Sequence, residues 1–293
     1  MYLVAGATGV LGSEICRRLT VRGRPVRAMV RVTSDAGGVS ELRELGADVV
    51  MADLKERGTL EPACAGVTTV VSGATAIFRQ QPGDSISSVD RDGQLALIDA
   101  AVAAGARRFV YVSFSGNIKA PSPLTDAKRT VERRLREGGL EYTILRPSYF
   151  MDTWLGPLVG FDLAARHVRI FGDGDRPVSW IALTDVAEVA ARCVDEPAAA
   201  NATLELGGPD ALSPLEVVAI AEQADGVPIE VEHVPVEQLE AQRAAAGNET
   251  EATLAALMIN LARGDVVAGA RAQTWLPAPS TSVRDHVGLV MPR

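Results

Sequence analysis

Seven residues near the start of the chain, Gly6-Ala7-Thr8-Gly9-Val10-Leu11-Gly12, restrict its fold more than any other stretch. Before them Tyr2-Leu3-Val4-Ala5 is short and apolar, as a buried parallel strand is. After them Glu14 to Arg22 carries Ile15, Leu19 and Val21 at spacings that lay an apolar helix face on a sheet. In a strand–turn–helix unit the three glycines have mechanical roles. Gly6 permits the sharp turn, Gly9 lets bare backbone approach a diphosphate, and Gly12 lets the helix lie close to the strand. A diphosphate there meets the free N–H groups and the positive end of the helix dipole. The spacing is Gly-x-x-Gly-x-x-Gly, a departure from the standard Gly-x-Gly-x-x-Gly. The expectation is a dinucleotide held by Gly6, Thr8, Gly9, Val10, Leu11 and Gly12.

Strand and helix signals then alternate. Strands are expected at Pro25–Val30, Asp48–Met51, Val67–Ser72, Arg108–Ser113 and Tyr142–Leu145. Helices are expected at Ser40–Leu45, Val89–Ala104 and Thr125–Glu137. Apolar strands separated by helices specify an α/β, doubly wound parallel sheet, whose ligands bind beyond the carboxyl ends of the strands. The organisation read from this is a dinucleotide-binding domain over 1–150 and a smaller α+β substrate lobe over 151–293, interleaved with the sheet. In the second half, His167–Phe171 and Pro177–Ile181 read as a hairpin-like pair. Thr184 or Asp185 caps a helix, and Ser213-Pro214 opens another. The tail with Pro277, Pro279 and Pro292 has no clear pattern.

The strand ends nominate the site. An NAD site carries a carboxylate after the second strand; this chain has Arg31, then Thr33 and Ser34, which suit a 2′-phosphate. NADP(H) is therefore the expected coenzyme. Asp53 and Leu54 follow the third strand, where a carboxylate can accept from the adenine amino group or cap the next helix. Gly73, Ala74 and Thr75 follow the fourth and keep the backbone bare beside the middle of the coenzyme. Ser113 and Ser115 end the fifth, within reach of the nicotinamide or of their own loop. With Thr125 as N-cap, Lys128 would occupy N3, where the dipole disfavours a cation. A lysine bonding the nicotinamide ribose explains that placement, and an exposed lysine paired to Glu132 is the alternative. Pro147, Tyr149 and Phe150 after the sixth strand are expected beneath the nicotinamide, and Phe78, Phe114, Trp154 and Trp180 as pocket lining.

The formal charge of −8 and the lack of a long basic run argue against direct nucleic-acid binding. Cys16, Cys64 and Cys193 read as reduced core thiols, and His167, His233 and His286 have no ligand-like spacing, so no metal is expected. No apolar run reaches a membrane-spanning length, and a strand beginning at residue 2 leaves no room for a leader; the expectation is a cytoplasmic protein acting on a small molecule. A homodimer or a protein partner stays open.

Taken in order, the pieces at 6–12, 26–31, 52–54, 109–113, 127–132, 142–147 and 206–209 resemble the NmrA-like branch of the atypical short-chain dehydrogenase/reductase superfamily. That branch includes isoflavone reductase-like enzymes and bacterial NAD(P)H-quinone reductases. The resemblance implies a Rossmann-type sheet, NADP(H) and a small C-terminal lobe closing over substrate. The superfamily's Tyr-x-x-x-Lys pair is incomplete here, because Leu124 stands four residues before Lys128. Tyr149 is then a second candidate catalytic group, or a core or lid aromatic. Two functions follow: an NADPH-dependent reductase of a quinone, enone or related conjugated carbonyl, and a non-catalytic protein that senses NADP(H).

Overall fold

The computed structural model describes residues 1–78, 80–267, 275–276 and 278–291. Pro277 and Pro292 lie outside them. In chain order the elements are β1 (Tyr2–Ala5), α1 (Val10–Val21), β2 (Val26–Val30), α2 (Ala36–Glu44), β3 (Asp48–Met51), α3 (Arg57–Cys64) and β4 (Thr69–Ser72). A π-helical segment (Ile86–Gly93) then runs into α4 (Gln94–Ala103), followed by β5 (Arg108–Val112), α5 (Pro123–Glu137) and β6 (Glu141–Pro147). The rest is α6 (Met151–Trp154), β7 (Phe161–Asp162), β8 (His167–Phe171), α7 (Leu183–Cys193), β9 (Ala202–Leu206), α8 (Pro214–Asp225), β10 (Glu230–Val234), α9 (Val236–Ala244), α10 (Glu249–Ala262) and α11 (Val283–Val290).

Seven strands form one sheet in the order β3-β2-β1-β4-β5-β6-β9, and its neighbours from β3 to β6 pair in parallel. This is the Rossmann-type order, and it reverses direction between β1 and β4, the point beyond whose strand ends folds of this kind bind their ligands. The central strands β1, β4 and β5 are short and nearly all buried, whereas β3 at the edge is not. Leu3, Val70, Phe109, Tyr111 and Ile144 share one cluster with Leu60, Leu97 and Leu135 of the helices. With aromatics only 4% of the chain, aliphatic side chains fill most of the space between sheet and helices.

By internal contacts the chain divides into two compact units. The first holds Met1–Ser113, Asp126–Leu145 and Ala187–Leu204; the second holds Phe114–Thr125, Arg146–Val186 and the chain from Glu205 onward. Within the first, Arg108 is buried at the start of β5. Its guanidinium bonds Glu141 and donates to the carbonyls of Cys193 and Glu196, so a single side chain ties the end of α7 to the sheet. Arg108→Met removes these charge-assisted bonds and strands two carbonyls. Its urea unfolding midpoint is expected to fall by the equivalent of about 3 kcal/mol.

Several local expectations are corrected. No hairpin joins His167–Phe171 to Pro177–Ile181. β8 pairs antiparallel with β7 and parallel with β10, while Val178 and Ile181 make only isolated bridges. A hairpin strand would alternate in burial, but Val178, Ser179, Trp180 and Ile181 are all buried, and Trp180 donates to the Leu212 carbonyl. Helix α2 starts earlier than expected because Asp35 accepts from the Gly38 N–H. The helix expected from Val89 begins at Ile86 as a π-helical segment, capped by a reciprocal Ser85–Ser88 pair. Helix α5 begins at Pro123, and the Ser122 hydroxyl accepts from Thr125 N–H; Thr125 is therefore not the N-cap. Helix α11, capped by Ser282 and Asp285, had no counterpart in the sequence reading. The Ser213-Pro214 start is as expected, with Ser213 and Glu216 forming a capping box.

Candidate functional site

The glycine turn has the geometry an anion site requires. Gly6 lies at φ +80°, in the left-handed region, and its carbonyl accepts from Gly9 N–H at 2.9 Å. A Cβ on Gly12 would stand 2.1 Å from the Gly6 oxygen, so α1 packs against the turn more closely than any side chain allows. The N-cap is Gly9, in extended conformation, with no side-chain cap and no acidic residue in the first turn. The N–H groups there have no capping side chain, and the positive end of the dipole meets no local carboxylate. Gly73 and Ala74, after β4, close the same corner. A Cβ on Gly6 would lie 3.1 Å from Ala74 Cα, and one on Gly73 would lie 3.2 Å from Leu11 Cδ2. Gly6, Leu11, Gly73 and Ala74 thus meet at the point where the strand order reverses. Val10, 59% exposed, opens α1 on the solvent side, and the Thr75 hydroxyl accepts from Ile77 N–H.

After β2, Ser34 accepts from Arg31 N–H and shapes the turn. The Arg31 guanidinium bonds Asp84 at 2.8 Å, and Thr33 bonds the Gln81 side chain. Lys55 reaches the other Asp84 oxygen at 2.7 Å. Burial pushes the Asp84 carboxyl up, yet bonds from Lys55 and Arg31 outweigh it and hold the group below the ordinary carboxylate range. Asp53 does not cap α3. Its carboxylate accepts from Lys55 N–H at 2.9 Å, forming a turn of its own, and Leu54 is buried.

The most unusual cluster surrounds Lys128, the sixth residue of α5 and only 5% exposed. The alternative of an exposed lysine paired to Glu132 is therefore overturned. Its ammonium donates to the Val112 carbonyl at 3.3 Å, lies 5.0 Å from the Tyr111 ring centroid and 3.5 Å from Asp90 Oδ1. Asp90 is fully buried on the π-helical segment, and its second oxygen accepts from Ala76 N–H at 2.9 Å. Among the described residues Asp90 Oδ1 and the Tyr111 hydroxyl have no hydrogen-bond partner, the Oδ1 contact with Lys128 being an ion pair at longer range. Burial lowers the Lys128 pKa and Asp90 opposes that shift, while burial raises Tyr111 well above its usual value. Ser113 is directed elsewhere, donating to Glu132 at 2.7 Å, and Glu132 also pairs with Arg129.

The remaining nominated residues, apart from Thr8 and Phe78, belong to the second unit. The Tyr149 hydroxyl donates to the Leu257 carbonyl at 2.9 Å, and its ring meets Trp154 and Trp180 edge-on. All three are buried, so Tyr149 and the two tryptophans are arranged as core aromatics. Phe150 precedes α6 and bridges to Ile181; Phe114 is half-buried. Ser115 and Ser148 donate to the buried Asp265, at 2.7 and 2.8 Å, and the Pro147 carbonyl accepts from Ser115 N–H. Leu124 is buried with its N–H on the Thr253 hydroxyl. In the first unit, Phe78 is 38% exposed.

A model of the NmrA-like family matches residues 2–259. The chain belongs to the NmrA-like family. This NmrA-like chain is 31% identical to an NAD(P)H azoreductase from Xenophilus azovorans over 89% of its own length and 86% of that protein's. It is equally 31% identical to the photosystem II assembly factor Ycf39 of Synechocystis sp., over 82% and 72% of the two lengths. Its fold superposes on an NADPH-dependent quinone oxidoreductase from Escherichia coli, solved with NADPH, with a TM-score of 0.79, 22% identity and 99% of each chain covered.

Three residues of the NmrA-like site had no part in the sequence reading: Asp90, Asp84 and Lys55. Asp90 is one polar residue within a helical run, and the signal that could mark it is Ser-x-x-Ser at 85–88, the cap just ahead of it. Asp84 and Lys55 are 29 positions apart by their numbers, and no local pattern pairs them. Among the described residues no helix is long and apolar enough to cross a membrane.

Proposed function

We propose that this NmrA-like chain is an NADP(H)-dependent oxidoreductase that reduces a small quinone, enone or related conjugated carbonyl. The observation that carries the reading is Lys128, an ammonium buried beside the carboxyl end of β5 and facing a fully buried carboxylate. A buried pair of this kind stabilises a fold less than apolar side chains of the same volume do, so stability alone gives it no reason to be there. The bare amides at the start of α1, held close to the turn because Gly12 has no Cβ, suit a diphosphate. Arg31 fits the 2′-phosphate, Asp53 and Leu54 the adenine, and Gly73 to Thr75 the middle of the coenzyme. When bound, NADPH supplies the hydride. Lys128 orients the nicotinamide ribose and places positive charge where the acceptor oxygen gains electrons. Leu124 supplies no phenol and the Tyr149 hydroxyl is held by a carbonyl, so the proton is assigned to solvent. Phe78 is the aromatic we assign to acceptor binding.

Purified protein mixed with NADPH and a panel of quinones and enones is expected to oxidise the coenzyme with at least one acceptor. Binding without oxidation by any of them would count against the enzyme reading. Arg31→Gln is expected to weaken NADPH about tenfold while changing NADH less than about twofold, measured by calorimetry.

A second reading is a non-catalytic protein that binds NADP(H) and acts on a partner. Leu124 in the tyrosine position favours it, as does the similarity to an assembly factor. Tight NADP binding with no turnover would select it.

A further inference from the structure

We propose that Lys55 is a second cation of the 2′-phosphate site, and that Asp84 is the positioning residue that sets it beside Arg31. The inference rests on the reading of NADP(H) as coenzyme. Arg31 Nη1 and Lys55 Nζ bind the two oxygens of one carboxylate, at 2.8 and 2.7 Å. The carboxylate is tucked away, with the Asp84 side chain only 2% exposed, whereas the Arg31 and Lys55 side chains remain 28% and 24% exposed. The anion therefore lies behind the two cations and leaves their outer faces to solvent. Two like charges this close repel unless an anion lies between them, and Asp84 supplies it from the buried side. Its own place is set by Gln81, whose N–H donates to Oδ2 at 3.0 Å.

Arg31 commits Nη1 to Asp84, which leaves other donors of its fork for a phosphate. Lys55 is fixed at both ends, its backbone N–H on Asp53 and its ammonium on Asp84. The Asp53 carboxylate is farther from that ammonium, at 4.0 Å. With Asp53 counted the four groups are neutral overall, so a phosphate dianion is favoured through direct contact with the two part-exposed cations, which gives a ribose hydroxyl no advantage. Specificity for NADP(H) then depends on a residue from the loop after β3 as well as on the one after β2.

The test is calorimetry of NADPH and NADH with the full chain. Lys55→Met is expected to weaken NADPH about tenfold and leave NADH within about twofold, and Lys55→Arg to retain most of the NADPH affinity. Asp84→Asn is expected to reduce the NADPH to NADH preference in the same direction; Asp84→Ser serves if the amide variant does not fold. Equal losses for both coenzymes would reduce the cluster to a loop pin and overturn the proposal, as would an unchanged NADPH affinity in Lys55→Met. Failure of the unaltered protein to bind either coenzyme would overturn the functional reading itself, a result distinct from both.

Discussion

Lys128→Met is expected to lower turnover with NADPH by about a hundredfold or more, with a smaller change in coenzyme affinity. Methionine fills nearly the same volume but supplies neither the charge nor the donor that now meets the Val112 carbonyl. The same substitution leaves Asp90 fully buried without its cation, at a cost of about 3–5 kcal/mol. Loss of activity through unfolding is separated from loss of chemistry by the double variant Asp90→Asn/Lys128→Met. It removes both charges, and should recover most of the stability lost in the single variant without recovering turnover. If the folded double variant turns over at the normal rate, Lys128 has no part in the reaction.

The second large effect is at the glycine turn. Gly12→Ala puts a methyl 2.1 Å from the Gly6 oxygen and 2.7 Å from its carbonyl carbon, both backbone atoms that cannot rotate away. Helix α1 must lift from the turn, which opens the proposed diphosphate seat. Coenzyme affinity is expected to fall more than about a hundredfold, and stability by about 2–3 kcal/mol, as measured by calorimetry and urea unfolding. Gly58→Ala is the contrast. Nothing lies within 4 Å of a Cβ there, the residue is in α3, and the change is expected to stabilise slightly. Similar behaviour of the two variants would remove the steric argument.

Much of the first unit was legible because its signals are local. Apolar runs of four or five residues, glycines at the turn and helical spacing in α1 each involve neighbours in sequence, and parallel pairing follows from the alternation of strands with helices. Expectation and structure part where the partner is distant in sequence or where two start signals compete. Thr125 is of a capping type, but Ser122-Pro123 is the stronger start signal, with the Ser122 hydroxyl accepting from Thr125 N–H. The hairpin expected at 167–181 failed because the neighbours of β8 come from Phe161–Asp162 and Glu230–Val234, a choice that turn residues alone do not make. A π-helical turn shares most of its pattern with an α-helix, so the segment carrying Asp90 gave no sign of its register.

What this sequence determined by itself is the kind of sheet and the tight glycine turn at its first strand, because both follow from steric rules that act over a few residues: no other side chain than hydrogen fits at Gly12, and an apolar strand with helices on either side has few ways to be buried. Only tertiary structure decided the electrostatics. Whether Lys128 faces water or Asp90, and whether Arg31 stands alone or beside Lys55, depends on which loops arrive within 3 or 4 Å of each other. Charge interactions act through space and depend on burial, and one chain of letters specifies neither until it has folded.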